Sequence, residues 1–264
     1  MSATTDTIPL RNQPATTINR HLKAEWTKLR TLPSTWRTAA LAGVLAIGLT
    51  AAVDLQQVSL TAQQRHTFDA TSASLFAVII AATLLGALAV RTVTAEYATG
   101  MIRSTFTAMP ARRLVLAAKA ATVAAFVLPV ALLFDIAGFA LGQRIFASQH
   151  LQVALSHPGV LRAIVFGAVA ASLVAILGVG LGGLIRHTAG ATTTLTIIIV
   201  GDLTLGQLLP AGLRGYLPGT AAQAAVTVHR SAGLLTPDAA IAVLSAYAAV
   251  ALAAALIRVA HRDA

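Results

Sequence analysis

The chain has 264 residues, of which 56% are hydrophobic and only 11% charged, with a mean hydropathy of +0.77. A soluble domain carries about 25% charged residues; this chain has too few to cover a globule, and its apolar runs, near the ~20 residues that cross a bilayer, make it a polytopic membrane protein. The formal net charge of +10 invites a nucleic-acid reading that the placement of the charges does not support, and the absence of cysteine excludes disulfides, thiolate chemistry and cysteine metal sites.

Residues 1–17 are polar and threonine-rich, with Pro9 and Pro14, and read as a disordered tail. Over residues 18–32 the pattern turns helical. Ile18, Leu22, Trp26 and Leu29 recur at helical spacing, while Arg20, Lys23, Lys28 and Arg30 fall largely elsewhere on the wheel. A basic amphipathic helix with a tryptophan suits the membrane interface, with Trp26 in the headgroup layer and Lys23, Lys28 and Arg30 towards anionic membrane lipid. The other reading is a solvated helix packed on its own protein. Pro33 is expected to end this helix and Ser34 to cap the next. No cleaved signal peptide is expected, because the first apolar run begins only near Trp36, after a long polar lead, and lacks a cleavage pattern.

The expected fold class is an all-α membrane protein, six transmembrane helices preceded by the amphipathic interfacial helix, with the transmembrane domain filling residues 36–258. The spans fall at about 36–55, 71–90, 116–143, 163–185, 188–209 and 238–256, each long enough to cross a bilayer. Pro129 lies inside the third and is expected to kink it. Gly178, Gly180, Gly182 and Gly183 crowd the fourth. Gly178 and Gly182 form a small-xxx-small pair, read as close packing within one subunit in preference to a dimer face. Between residues 210 and 237, Gly215-Tyr216-Leu217-Pro218-Gly219 reads as a turn, and 220–228 as either a short helix dipping into the interface or a plain loop. Thr236-Pro237-Asp238 opens the last span as a threonine cap with proline at the first helical position.

Orientation follows from Lys and Arg. Fourteen of the nineteen fall on the side that holds both termini, and Arg65, Arg144, Arg162, Arg214 and Arg230 fall on the other. The positive-inside rule then places both termini, including the 259–264 tail, in the cytoplasm and accounts for the basic charge without nucleic acid.

The longest cytoplasmic interruption, residues 91–115, mixes charge with large apolar residues. Glu96-Tyr97-Ala98-Thr99-Gly100-Met101-Ile102-Arg103-Ser104-Thr105, then Met109-Pro110-Ala111-Arg112-Arg113 and Lys119, resemble the first cytoplasmic loop of bacterial ABC exporter permeases of the type-two (drug- and polysaccharide-export) class. Ala24-Glu25-Trp26-Thr27-Lys28-Leu29-Arg30-Thr31-Leu32 with Ser34-Thr35 is similar to the leading helix of the same family. The resemblance implies a multi-pass subunit in the bacterial plasma membrane that pairs with a second permease copy or a homologue and with ABC ATPase subunits. It has no cofactor of its own, because ATP and Mg are bound by the partner ATPase. It also implies that the loop holds a coupling helix seated on that ATPase, which gives Glu96, Tyr97, Gly100, Met101, Arg103, Ser104, Phe106, Met109, Pro110, Arg112 and Arg113 as docking residues. The residues themselves agree. Gly100 lets the chain bend, Pro110 stops a helix, and Met101, Ile102, Phe106 and Met109 offer adaptable apolar anchors. For Arg112 and Arg113 headgroup contact competes with docking, and for Glu96 an internal ion pair does.

No G-x-x-x-x-G-K-[ST] occurs, so ATP hydrolysis is expected in another chain, and no catalytic residue or metal site is assigned. Asp135 and Asp202 lie inside spans, ~24 and ~22 Å beyond Lys119 and His187 at 1.5 Å per residue. Either they line an export path favouring cationic or amphipathic substrates, or they hydrate and pair near the outer surface. An intramembrane aspartyl protease is set aside because Phe134-Asp135 and Gly201-Asp202 lack its motifs. A non-transporting membrane scaffold or sensor is the remaining alternative.

Overall fold

The computed structural model describes residues 14–56, 68–102, 112–229 and 233–261. Every regular element among them is helical. In chain order these are α1 (Pro14–Thr31), α2 (Pro33–Gln56), α3 (Ala70–Ser74), α4 (Val78–Ala98), α5 (Arg112–Ala147), α6 (Val160–Ile185), α7 (Thr188–Thr196), α8 (Asp202–Leu205), α9 (Ala211–Arg214), α10 (Pro218–Ala225) and α11 (Pro237–His261).

Five helical stretches are long and apolar enough to cross a membrane: α2, α3–α4 together, α5, α6 and α11. The expected fifth span, 188–209, is interrupted. After α7 the helix widens into a π turn at Ile197–Gly201, resumes as α8 and tightens into a 3-10 turn at Gly206–Leu208. The widening has a local cause: the backbone of Gly219, at the start of α10, lies against the Ile199 carbonyl so closely that a Cβ there would collide with it. A π turn lets the passing element in where a regular helix would be crowded.

The long helices outrun their expected limits. The second span continues past Arg91 to Ala98, so the expected 91–115 loop begins only at Thr99, and α5 starts at Arg112 and runs through Pro129 to Ala147. Glu96, inside the extended end of the second span, is paired with lysines of two other helices, as described below. α1 stops at Thr31, just before Pro33, as expected; Pro33 is itself the first residue of α2, and Ser34 lies within α2 instead of capping it. Proline fits that position because its missing N–H is one that a helix start leaves unpaired anyway. The Thr236 cap is present, its Oγ1 accepting the Ala239 N–H at 3.4 Å.

α6 is the hub, packed against α4, α5 and α11. Its glycines let neighbours approach. A Cβ on Gly178 would stand 2.5 Å from the Gly86 carbonyl oxygen of α4, and one on Gly180 would stand 2.7 Å from the Ala251 backbone of α11. Gly182 faces Val90 and Val93 of α4. The Gly178–Gly182 pair therefore serves packing inside this chain, as expected.

The segment after Pro210 resolves the open choice between short helix and loop. α10 is buried along nearly its whole length against α11, α6 and the π turn. The bundle thus has two distinct ends. One gathers α1, the end of α4, the start of α5 and the end of α11; the other gathers α3, α10 and the 226–229 turn.

Candidate functional site

α1 lies against α5 with one face. The residues it buries there are Glu25 and Leu29, while Lys23, Trp26 and Arg30 face outward. Trp26, on the apolar stripe, is turned away from α5 and 40% exposed, and an acid takes the inner position. Burying an unpaired carboxylate would be strongly unfavourable, so its partners decide the arrangement.

Those partners come from three helices. The Lys119 ammonium, on the second turn of α5, donates to Glu25 Oε2 at 2.6 Å and to Glu96 Oε1 at 2.9 Å. Lys28, one turn beyond Glu25 on α1, donates to Glu25 Oε1 and Glu96 Oε1, each at 2.9 Å. Glu25, Lys28, Glu96 and Lys119 therefore form a closed ring of alternating charge with no net charge. Glu25, Glu96 and Lys119 are each 3% exposed, and Lys28 forms the outer edge. Burial pushes the Glu25 carboxyl up, but Lys119 and Lys28 together outweigh it and hold the group below its ordinary value. For Lys28 burial works downward, and its bonds to Glu25 and Glu96 more than offset it, so its ammonium is held above the ordinary value.

The ring joins α1 to the last turn of α4 and the first turns of α5, the two helices that flank the 99–111 connection. Beside it opens a cleft of about 190 Å³, walled by Leu29, Leu32, Leu88 and Met101 and edged by Arg91. Trp36 ties the turn between α1 and α2 shut, its Nε1–H donating to the Arg30 carbonyl at 2.8 Å while its ring meets Phe126 edge-on at 5.4 Å.

The expected docking residues within the described part of the chain separate into three groups. Glu96 turns inward and belongs to the ring, so the internal ion pair is the contact it makes. Tyr97 is half-buried beneath the Arg186 guanidinium, 5.0 Å above its ring. Gly100, Met101 and Arg113 are exposed at this end, with Arg112 half-buried beside them. Gly100 has φ +70°, a left-handed turn that favours glycine. Arg103, Ser104, Phe106, Met109 and Pro110 lie outside the described residues.

At the other end, Asp202 is 6% exposed and receives the Thr220 N–H on Oδ2 at 2.6 Å and the Thr220 hydroxyl on Oδ1 at 2.8 Å. Thr220 is the third residue of α10, so the carboxylate sits on that helix's unpaired N-terminal N–H groups, where negative charge is favoured. Asp69 clasps the neighbouring turn. Its Oδ1 caps α3 through Thr71 and Ser72, and its Oδ2 accepts the Val228 and His229 N–H groups at 2.8 and 3.0 Å. Asp135 shares no such contact and is taken up below.

Sequence reasoning quoted Glu25 and Lys119 without giving either a role. The signal was present: Glu25 stands three residues after Leu22 and four before Leu29, on the apolar stripe. No group of three or more metal-ligating side chains occurs among the described residues.

A search of curated proteins finds no match to this chain. The family described as ABC-2 family transporter protein matches residues 21–201, from α1 to the π turn and more than half of the chain. With long apolar helices around a buried hub, and a match of that extent, the chain belongs to the ABC-2 transporter family and is a multi-pass membrane protein of that family's permease type.

Proposed function

We propose that this chain is the membrane-spanning subunit of an ATP-driven exporter in the bacterial plasma membrane, paired with a second copy or a homologue and driven by a separate ABC ATPase that docks at the α1 end. The observation that supports this most is the charge ring. It fastens α1, α4 and α5 to one another at the root of the connection between α4 and α5, so a displacement of Gly100, Met101 or the residues after them passes into two long helices at once. Rigid, paired elements transmit movement where loose ones absorb it. On this reading the docking face consists of Gly100, Met101, Arg112, Arg113 and the 103–110 stretch, with Glu96 and Tyr97 holding that face in place from behind. Lys23, Trp26 and Arg30, turned outward on α1, meet the cytoplasmic headgroups.

The test is co-purification of the chain with the ATPase encoded beside it, followed by measurement of ATP hydrolysis in lipid. The complex is expected to hydrolyse faster than the ATPase alone, and Met101→Asp is expected to return it to the unstimulated rate without loss of the folded chain. A chain that binds no ATP-hydrolysing partner would instead be a scaffold or sensor, and the proposal would fail.

A further inference from the structure

We propose that Asp54 and Asp135 are proton-binding sites, held as neutral carboxylic acids in the buried interior at the end of the bundle away from α1. Asp54 comes from the last turn of α2. It is fully buried, and neither of its oxygens has a hydrogen-bond partner. Asp135 comes from α5, is 5% exposed, and its Oδ2 has no partner either.

The surrounding residues are shaped around both groups. α5 presents Asp135, Gly138 and Gly142 at spacings of three and four, which puts them on one face. A Cβ at Gly142 would stand 2.5 Å from Asp54 Oδ2 and would crowd the Ser74 hydroxyl as well. A Cβ at Gly167 of α6 would stand 2.6 Å from Asp135 Oδ2. Glycine at these positions leaves each carboxyl its room. Ser74 donates to the Ala70 carbonyl at 2.8 Å and accepts from Gln143 at 3.1 Å, so its proton is already committed. A cavity of about 10 Å³, walled mostly by apolar side chains but open to Thr50, Ser74 and Asp135, is room for about one water. It joins Asp135 to the hydroxyl that flanks Asp54.

Among the described residues no cation reaches either acid. Asp69 is occupied by the α3 cap and by Val228 and His229, and His229 is exposed beside it. Arg162 donates to the Thr227 carbonyl at 2.8 Å, Asp202 is held by Thr220, and Arg144 is exposed on the rim. A carboxylate without a counter-charge in an apolar interior takes up a proton instead of remaining ionised. Each site therefore binds one proton from water as its O–H. Each releases it, becoming a carboxylate, when water enters between α2 and α5. Separation of those helices at this end would discharge two protons. This inference does not depend on the identity of the ATPase or of any cargo.

Infrared spectra of the purified full-length chain in lipid nanodiscs, with carbon-13 in the aspartate carboxyls, distinguish neutral acid from carboxylate directly. At neutral pH an isotope-shifted acid carbonyl band is expected. Asp54→Asn and Asp135→Asn should each remove their share of it, the double variant should abolish it, and Asp69→Asn should leave it intact. Labelled aspartates that show only carboxylate bands would overturn the proposal, as would an acid band that survives the double substitution. Sodium or potassium that removes the band in the unaltered chain would also overturn it, in favour of a metal cation. Should a variant fail to fold, the unaltered chain still decides the matter. Its acid band must persist on raising the pH beyond the ordinary carboxylate range, and loss within that range ends the idea.

Discussion

The Lys119 ammonium lies 2.6 Å from the Glu25 carboxylate, although 94 residues of chain separate them. That contact fastens α1 to the first turns of α5, and Glu96 and Lys28 complete the circuit around it.

Lys119→Met leaves two buried carboxylates facing one remaining lysine. Removing one partner of a buried pair costs about 3–5 kcal/mol, so a clear fall in the thermal midpoint of the detergent-solubilised chain is expected. Adding Glu25→Leu, which removes the stranded charge, should recover part of the loss. Two substitutions whose effects simply add would show that the residues do not interact.

Acid and alkali should act on this end of the molecule through different members of the ring. Glu25 is held below its ordinary value of 4.5, so the stability it contributes is complete above that value and is lost as pH falls through the lowered one. Lys28 is held above 10.5, so its contribution is complete below that value and is lost as pH rises through the raised one. Melting curves across pH should show both limbs. Glu25→Gln should flatten the acid limb, and Lys28→Met the alkaline limb.

Asp202→Ala should free α10 without unfolding the bundle. Hydrogen bonds to a charged group contribute about 1.5–3 kcal/mol, enough to loosen an eight-residue helix but not the hub. The chain has no cysteine, so a single cysteine placed at Ala224, which is fully buried, gives a clean reading. Thiol labelling there should accelerate at least tenfold, since 1.4 kcal/mol corresponds to about tenfold in an equilibrium. Unchanged labelling would mean that Thr220 does not depend on Asp202.

Gly178→Ala should destabilise the chain by about 1–3 kcal/mol through overpacking, because the added carbon meets the Gly86 backbone, which has little freedom to yield. Gly48→Ala is the control. Nothing lies within 4 Å of its added carbon, and alanine is the better helix former, so a neutral or slightly positive shift in the melting temperature is expected.

Much of this architecture was legible in residue patterns. Apolar runs located the long helices, the glycines of α6 marked its closest contacts, and Thr236-Pro237 marked the start of α11. Charge misled where the fold supplies it with partners. Arg91 and Glu96 looked like the end of a span, yet the helix continues to Ala98 because Lys28 and Lys119 wait for Glu96. Asp202 left a path residue and a hydrated or paired acid both open, and it anchors α10 through a contact across 18 residues that no local pattern announces. Asp54 lies at the end of the first expected span and nothing near it in sequence marks it, since Gly142, which makes room for its carboxyl, is far along the chain.

The ring also constrains the order in which the protein can be built. Glu25 leaves the ribosome long before Lys119 exists, so the leading helix cannot take its final seat while the first membrane crossings are being threaded. It must stay unseated until α5 has begun to emerge. Its docking then becomes a late event of biogenesis, and a signal that the first half of the chain has been inserted in the correct sense.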